Sequence, residues 1–182
     1  MHLDLATLEA GLDEIRRSPA DAGRLELIVR RPAVEEREQL DEGVLDTIEG
    51  LLGDCWRTRG SRSTPDGSAD PKAQLTLMNV RVAALVAGNR SRIPLAGDQL
   101  YVDLDLSGAN LPPGTQLRIG SAVVEISDEP HLGCRKFFDR FGRDAHRFVN
   151  AKELRALNLR GVNAMVVEGG VVRSGDAVRK SS

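Results

Sequence analysis

The apolar stretches of this chain are short, and glycine or proline cuts nearly every one. Leu25-Glu26-Leu27-Ile28-Val29-Arg30 is halted at Pro32, Gln116 to Ile119 lies between Pro112-Pro113-Gly114 and Gly120, Ala122 to Ile126 ends before Pro130, and Val162 to Val167 runs up to Gly169. Runs this short, rich in Val, Leu and Ile and bounded by turn residues, read as strands. Leu100, Val102, Leu104 and Leu106 alternate with Tyr101, Asp103 and Asp105, a period of two that predicts a strand with one face buried. A further short strand is expected at Gln74 to Leu77, and another at Asp176 to Val178. Short strands toward both ends with helices between them favour a mainly β (α+β) fold, a closed or nearly closed β-barrel with peripheral helices. No internal repeat or linker divides the 182 residues, a length that one core accommodates.

The helices follow from wider spacings. Leu5, Leu8, Leu12 and Ile15 share one face of a helix over 4–17, ended by Ser18-Pro19, so residues 1–20 are expected to pack on the barrel as an N-terminal helix. A second helix is expected around Val80 to Val86. Residues 134–157 look mainly helical, with Asp144 as an N-cap. Gly169-Gly170 between β-branched runs predicts a two-residue hairpin, and no helix follows it as a phosphate loop would require. Glu35 to Glu42 is charge-dense and expected to be solvated. Residues 53–72 form a long polar loop carrying Arg57, Arg59, Arg62 and Lys72.

Composition excludes several functions. The formal charge is -2, and four of the six aromatic residues fall within Phe137 to Phe148, which argues against a nucleic-acid partner with its basic face and stacking platforms. No apolar run approaches the length of a membrane span and the N-terminus has no basic leader, so no membrane partner and a cytoplasmic location are expected. Cys55 and Cys134 form no CxxC pair, so neither a disulfide framework nor a zinc knuckle is expected. His2 and His146 lack companions at metal-ligand spacing.

Cysteine chemistry therefore rests on single residues, and Cys134 has the more suggestive setting. It follows His131-Leu132-Gly133 at the expected start of a helix and precedes Arg135-Lys136. Helix-start N–H groups and two cations favour the thiolate that sulfur transfer or metal ligation requires. The other reading is a small buried apolar residue. His131 could orient or deprotonate the thiol, or be structural; Cys55 could be a resolving thiol or second ligand, or a core cysteine. Arg57, Arg59, Arg62 and Lys72 could contact an anion if their loop folds over the barrel mouth. Asp54 reads as a turn-fixing residue, and Asp103 as an outward strand carboxylate or one facing the barrel mouth.

The ordered set Gly53-Asp54-x-Trp56, Gln74-Leu75-Thr76-Leu77-Met78-Asn79, Leu117-Arg118-Ile119-Gly120-Ser121-Ala122-Val123-Val124-Glu125-Ile126 leading to Pro130 and Cys134, Gly161-Val162, and Gly169-Gly170-x-Val172-x-x-Gly175-Asp176-x-Val178 resembles a MOSC domain, the family named after the C-terminal domain of molybdenum cofactor sulfurases. The resemblance spans residues 24–179. It implies a β-barrel similar to the small domain of pyruvate kinase, and association with the molybdenum cofactor (molybdopterin) or with carried sulfur. It matches the family's cysteine to Cys134, which would accept sulfur as a persulfide or ligate molybdenum as the metal-binding residue. Arg135, Lys136 and Arg81 are the implied anion contacts near it, with Arg57 and Arg59 from the loop. Implied partners are a sulfur donor such as a cysteine desulfurase, or an electron-transfer protein; the pyridoxal phosphate domain of full-length sulfurases is absent from this sequence. Some relatives are molybdenum-dependent reductases of N-hydroxylated compounds, which gives an enzymatic alternative. The chain departs from the family pattern at Cys55 after Gly53-Asp54 and at Tyr101-Val102-Asp103 in the strand, and the Asp103 departure makes a non-catalytic binding module a third.

Overall fold

The short apolar runs become strands in the computed structural model, which describes residues 2–61 and 63–181. These are β1 (Gly23–Arg30), β2 (Glu38–Leu40), β3 (Glu42–Asp46), β4 (Gly50–Leu51), β5 (Leu75–Asn79), β6 (Leu100–Asp103), β7 (Gln116–Ile119), β8 (Ala122–Ile126), β9 (Val162–Glu168), β10 (Gly170–Arg173) and β11 (Ala177–Lys180). In the order β11-β7-β8-β9-β5-β6-β1 they form a sheet that closes through pairing of β1 with β11, a closed mixed barrel. Among the described residues only the β5–β6 contact is parallel. A parallel pair needs a crossover, and residues 80–96 supply it. A smaller sheet, β10-β3-β4, lies beside the barrel.

Helices α1 (Leu5–Ala10), α2 (Leu12–Arg16), α3 (Trp56–Arg59), α4 (Val80–Ala87) and α5 (Arg135–Val149) lie outside the barrel. Two apolar clusters result. The apolar cluster of the barrel interior contains no aromatic residue and includes Leu25, Ile28, Leu77, Leu100, Val102, Leu117, Ile119, Val124, Ala164 and Val178. The second, between barrel wall and helices, holds Leu8, Ile15, Val29, Met78, Val82, Tyr101, Phe137, Phe141 and Phe148. Asn79 joins strand to helix: its side chain accepts from Arg81 N and donates to Ser18 Oγ and to the Leu104 carbonyl, which caps α4 and satisfies a buried carbonyl.

Several expectations need correction. The alternation at Leu100 to Leu106 does not leave a solvated face, because Tyr101 is completely buried under the helical layer and donates to the Ile93 carbonyl at 3.0 Å. The helix over 4–17 is two, parted at Gly11, where a Cβ would lie 2.5 Å from Leu85 Cδ2. The charge-dense stretch at 35–42 is largely exposed, as expected, but it also contains edge strand β2, paired with β1. Gly169-Gly170 is not a hairpin turn: neither residue has positive φ, as primed turns demand, and β10 pairs with β3, not β9. Gly170 instead permits close approach to Ser121, whose hydroxyl accepts from Val171 N at 2.8 Å. The helix from Arg135 ends at Val149, kinks at Gly142 (φ 85°), and gives way to a 3-10 turn at Lys152–Leu157. Gly142 breaks the helical backbone, and Asp144 lies in the first turn of the segment that follows, two residues past the break rather than at its cap.

Candidate functional site

A cleft of about 430 Å³ opens where the segment after β1, the loop before β5, the turn before β6 and the start of α5 converge; Arg37, Cys55, Arg59, His131, Cys134 and Arg140 are among its lining residues. Cys134 is exposed, at the N-cap of α5, with its thiol in no capping hydrogen bond. The peptide before it is clamped from the far end of the helix. Gly133 N donates to Asn150 Oδ1 at 2.9 Å, and the Gly133 carbonyl meets His146 Nε2 at 2.8 Å and Asn150 Nδ2 at 3.2 Å. A Cβ at Gly133 would come within 2.7 Å of Asn150 Nδ2, so glycine here allows the clamp to close.

Two buried ion pairs build the walls. Arg31 donates to Asp54 through Nε (2.8 Å) and Nη2 (2.7 Å) and to the Gly97 carbonyl through Nη1 (3.1 Å). Asp54 also accepts from Trp56 N at 2.9 Å, which fixes the turn into α3. Arg160 donates to Asp98 Oδ2 at 2.6 Å and to the Ala96 carbonyl at 2.9 Å, with its guanidinium over Phe137. Charges this deep persist only when paired. His131 Nδ1 lies 3.6 Å from Asp98 Oδ1, and burial, reinforced by Arg160, pushes the His131 pKa down to about 3. At neutral pH the ring is uncharged, whichever role it plays toward the thiol.

The remaining cations are differently placed. Lys136 and Arg140 both bind Glu35, Lys136 at 2.6 Å. Arg37 has its buried Nε without an acceptor, and Arg37 and Arg59 make no ion pair with a carboxylate among the described residues. Both have lowered pKa values. Burial is the first cause in each; Arg140 and Arg31 add repulsion at Arg37, and Arg31 at Arg59. Negative charge at Cys55, Asp54 or Cys134 acts on Arg59 in the opposite sense. Cations crowded together with few counter-charges are the electrostatic signature of an anion site.

Of the residues the sequence singles out, the structure gathers Cys134, Lys136, Arg59, Cys55 and His131 in this cleft. It places four others, Arg57, Arg135, Arg81 and Lys72, elsewhere. Arg57 is exposed and paired with Glu49. Arg135, 83% exposed, pairs with Asp139 at 2.8 Å along the outer face of α5. Arg81 grips Asp103 through Nε and Nη2 and reaches Glu14 at 2.9 Å, so it ties the N-terminal helices to β6, and Asp103 points outward. Lys72 is held by Asp128 at 2.8 Å, and Arg62 lies outside the described residues. Sequence reasoning missed Arg31, Arg37, Arg140, Arg160 and Asp98. Arg31 adjoins the strand-ending Pro32 and Asp98 follows the turn glycine Gly97 ahead of β6, the one local signal each carries.

Among the described residues no three His, Cys, Asp or Glu side chains are grouped to hold a metal ion, and no helix is long and apolar enough to cross a membrane. Fold and cleft together define a class: a closed mixed barrel with a helical layer and one exposed thiol in a cation-lined cleft. A family model for the MOSC domain matches residues 73–179, and the chain belongs to that family. Its fold is similar to that of the YuaD protein from Bacillus subtilis (17% identity, TM-score 0.61, covering 86% of this chain and 94% of that one). It is also similar to YiiM from Escherichia coli (20% identity, TM-score 0.54, covering 87% and 70%). No curated protein matches the chain.

Proposed function

We propose that the Cys134 cleft holds the molybdenum cofactor its family implies, with Cys134 as the thiolate ligand. The supporting observation is that an exposed, unengaged thiol shares its cleft with Arg37 and Arg59, cations without a carboxylate partner among the described residues. The donor set fits the group. A soft thiolate suits molybdenum, a metal that arrives with ligands of its own needs few from the protein, and the unpaired Nε of Arg37 can donate to a phosphate oxygen.

Bound there, the cofactor would supply redox chemistry at the metal. The chain's own contribution is holding and excluding. Arg37 and Arg59 neutralise the anionic end, the Asn150 and His146 clamp fixes the backbone that presents Cys134, and the Arg31–Asp54 and Arg160–Asp98 pairs keep the walls rigid. Electrons would come from a partner protein, as in a reductase of N-hydroxylated compounds.

A second reading is favoured by Cys55 lining the same cleft: Cys134 carries sulfur. Its thiolate attacks the terminal sulfur of a donor persulfide, the donor's S–S bond breaks, and the donor leaves as a thiol, as from a cysteine desulfurase. Anaerobic purification with metal analysis separates the two. Molybdenum close to stoichiometric and lost in Cys134→Ser supports the first; no metal, but a Cys134 persulfide after exposure to a cysteine desulfurase and cysteine, supports the second. If neither appears and native Cys134 resists alkylation, both fall and a non-catalytic binding module is left.

A further inference from the structure

The chain places one of its own carboxylates on the cations of this cleft. Glu35 lies on the segment between β1 and β2 and reaches across to α5, where its two oxygens meet Lys136 Nζ and Arg140 Nη2. To do so its backbone adopts φ 69°, a left-handed conformation that non-glycine residues seldom take. The carboxylate remains 56% exposed, and exposed ion pairs of this kind are weak and readily exchanged.

The cations it meets are part of a larger group focused on Gly97. Arg31 donates to the Gly97 carbonyl. A Cβ on Gly97 would have Arg37 Nη2 at 3.5 Å and Arg140 Nη1 at 3.6 Å, so both guanidinium groups face its bare α-carbon. Gly97 itself has φ 94°. Asp54 answers Arg31, Glu35 answers Arg140 and Lys136, and Arg37 has only the Glu36 carbonyl on one nitrogen. With Asp54 committed to Arg31, Glu35 is the carboxylate left for Lys136 and Arg140, and Arg37 has donors to spare for a larger, doubly charged anion.

We propose that Glu35 is a resident counter-anion that a phosphate monoester dianion displaces from Lys136 and Arg140, freeing the segment that carries Glu35 as the ligand's phosphate engages Arg37 and Arg140. The inference rests on the cofactor reading for the use of this cleft, but its test does not depend on molybdenum. Binding is an exchange of anions, and the resident carboxylate sets both the affinity and the charge preference. A monoanion gains little over Glu35, whereas a dianion gains the additional donors of Arg37. Release also lets the residue at 35 leave its left-handed backbone.

The test uses the full chain, shown by elemental analysis to be free of bound phosphorus, titrated with inorganic phosphate in a calorimeter, with acetate as the monoanion control. Glu35→Gln is expected to bind phosphate about tenfold more tightly than the parent chain, since competition by the carboxylate is removed. Arg37→Met, which removes a cation the phosphate engages, is expected to weaken phosphate binding, with acetate weak in all three. In the parent chain, phosphate is expected to speed hydrogen exchange of the amides at 33–36. Equal phosphate affinity in Glu35→Gln and the parent, no phosphate binding by either at millimolar concentration, or unchanged exchange at 33–36 would each overturn the proposal. Thermal melts verify that both variants are folded. If the exchange of anions passes while Cys134 takes up neither metal nor sulfur, the cofactor reading fails alone; the reverse result removes only the role of Glu35.

Discussion

Replacing Asp54 by alanine breaks a buried ion pair in the cleft wall without touching Cys134. The carboxylate is fully buried and accepts from Arg31 N, Nε and Nη2 and from Trp56 N at 2.7–2.9 Å. Burial, the largest single influence, would lower the Arg31 pKa, yet the hydrogen bonds and charge of Asp54, with Asp98 and Cys55 adding to them, make the net direction upward, so the arginine stays charged in the wall. Deleting one member of a buried pair leaves the other charge uncompensated, at about 3–5 kcal/mol, a large fraction of the ~5–15 kcal/mol that holds a domain together. For a chain of this length that corresponds to a fall in Tm of roughly 6–20 °C. Urea denaturation followed by far-UV circular dichroism measures it, with Trp56 fluorescence as a local probe. Asp54→Asn keeps acceptor capacity but not charge, and its loss should be intermediate. A loss below about 1 kcal/mol for the alanine variant would refute the reasoning, because it would mean that Arg31 needs no counter-charge there.

Other expectations follow from the same geometry. Because the His131 pKa falls to about 3 on folding from a value near 6.5 in the unfolded chain, the unfolded state binds the extra proton, and stability should drop as pH falls from about 6.5 toward 3. His131→Asn should flatten that slope in denaturation curves taken across the range, and an unchanged slope would assign it to other groups. Gly97→Ala forces alanine into φ 94° and should cost about 1–2 kcal/mol while weakening phosphate binding, read by melting and calorimetry. Arg81→Met frees Asp103 and Glu14 and should cost about 1–2 kcal/mol but leave the alkylation rate of Cys134 unaltered, since Arg81 lies away from the cleft.

The barrel strands were legible because alternation and turn residues are local properties, and a strand's inward face must repeat every second residue. What escaped was decided by distant partners. Tyr101 looked solvent-facing because its strand alternates, and only docking of the helical layer buries it. The strands at 38–51 carry too much charge to signal burial, yet they pair because β1 and β10 present free edges. Cys134 stood out from its helix-start position, and Lys136 and Arg59 came with it. Arg31, Arg37, Arg140 and Arg160 come from separate elements and meet only once the sheet has closed, so no spacing announces them. Arg135 shows the converse: adjacency in sequence to Cys134 carried it to the opposite face of the helix.

The aliphatic interior of the barrel has a practical consequence for anyone who follows this protein in solution. None of the six aromatic side chains belongs to that interior; Tyr101 and three of the phenylalanines lie in the layer between wall and helices. Near-ultraviolet dichroism and ring-current-shifted resonances are therefore silent about the barrel and report on whether the helices are seated. A state with an intact barrel and undocked helices would look, by those probes, as though its tertiary structure had melted. Methyl resonances and slow amide exchange in β7, β8 and β9 are the signals that would distinguish it from a truly disordered chain.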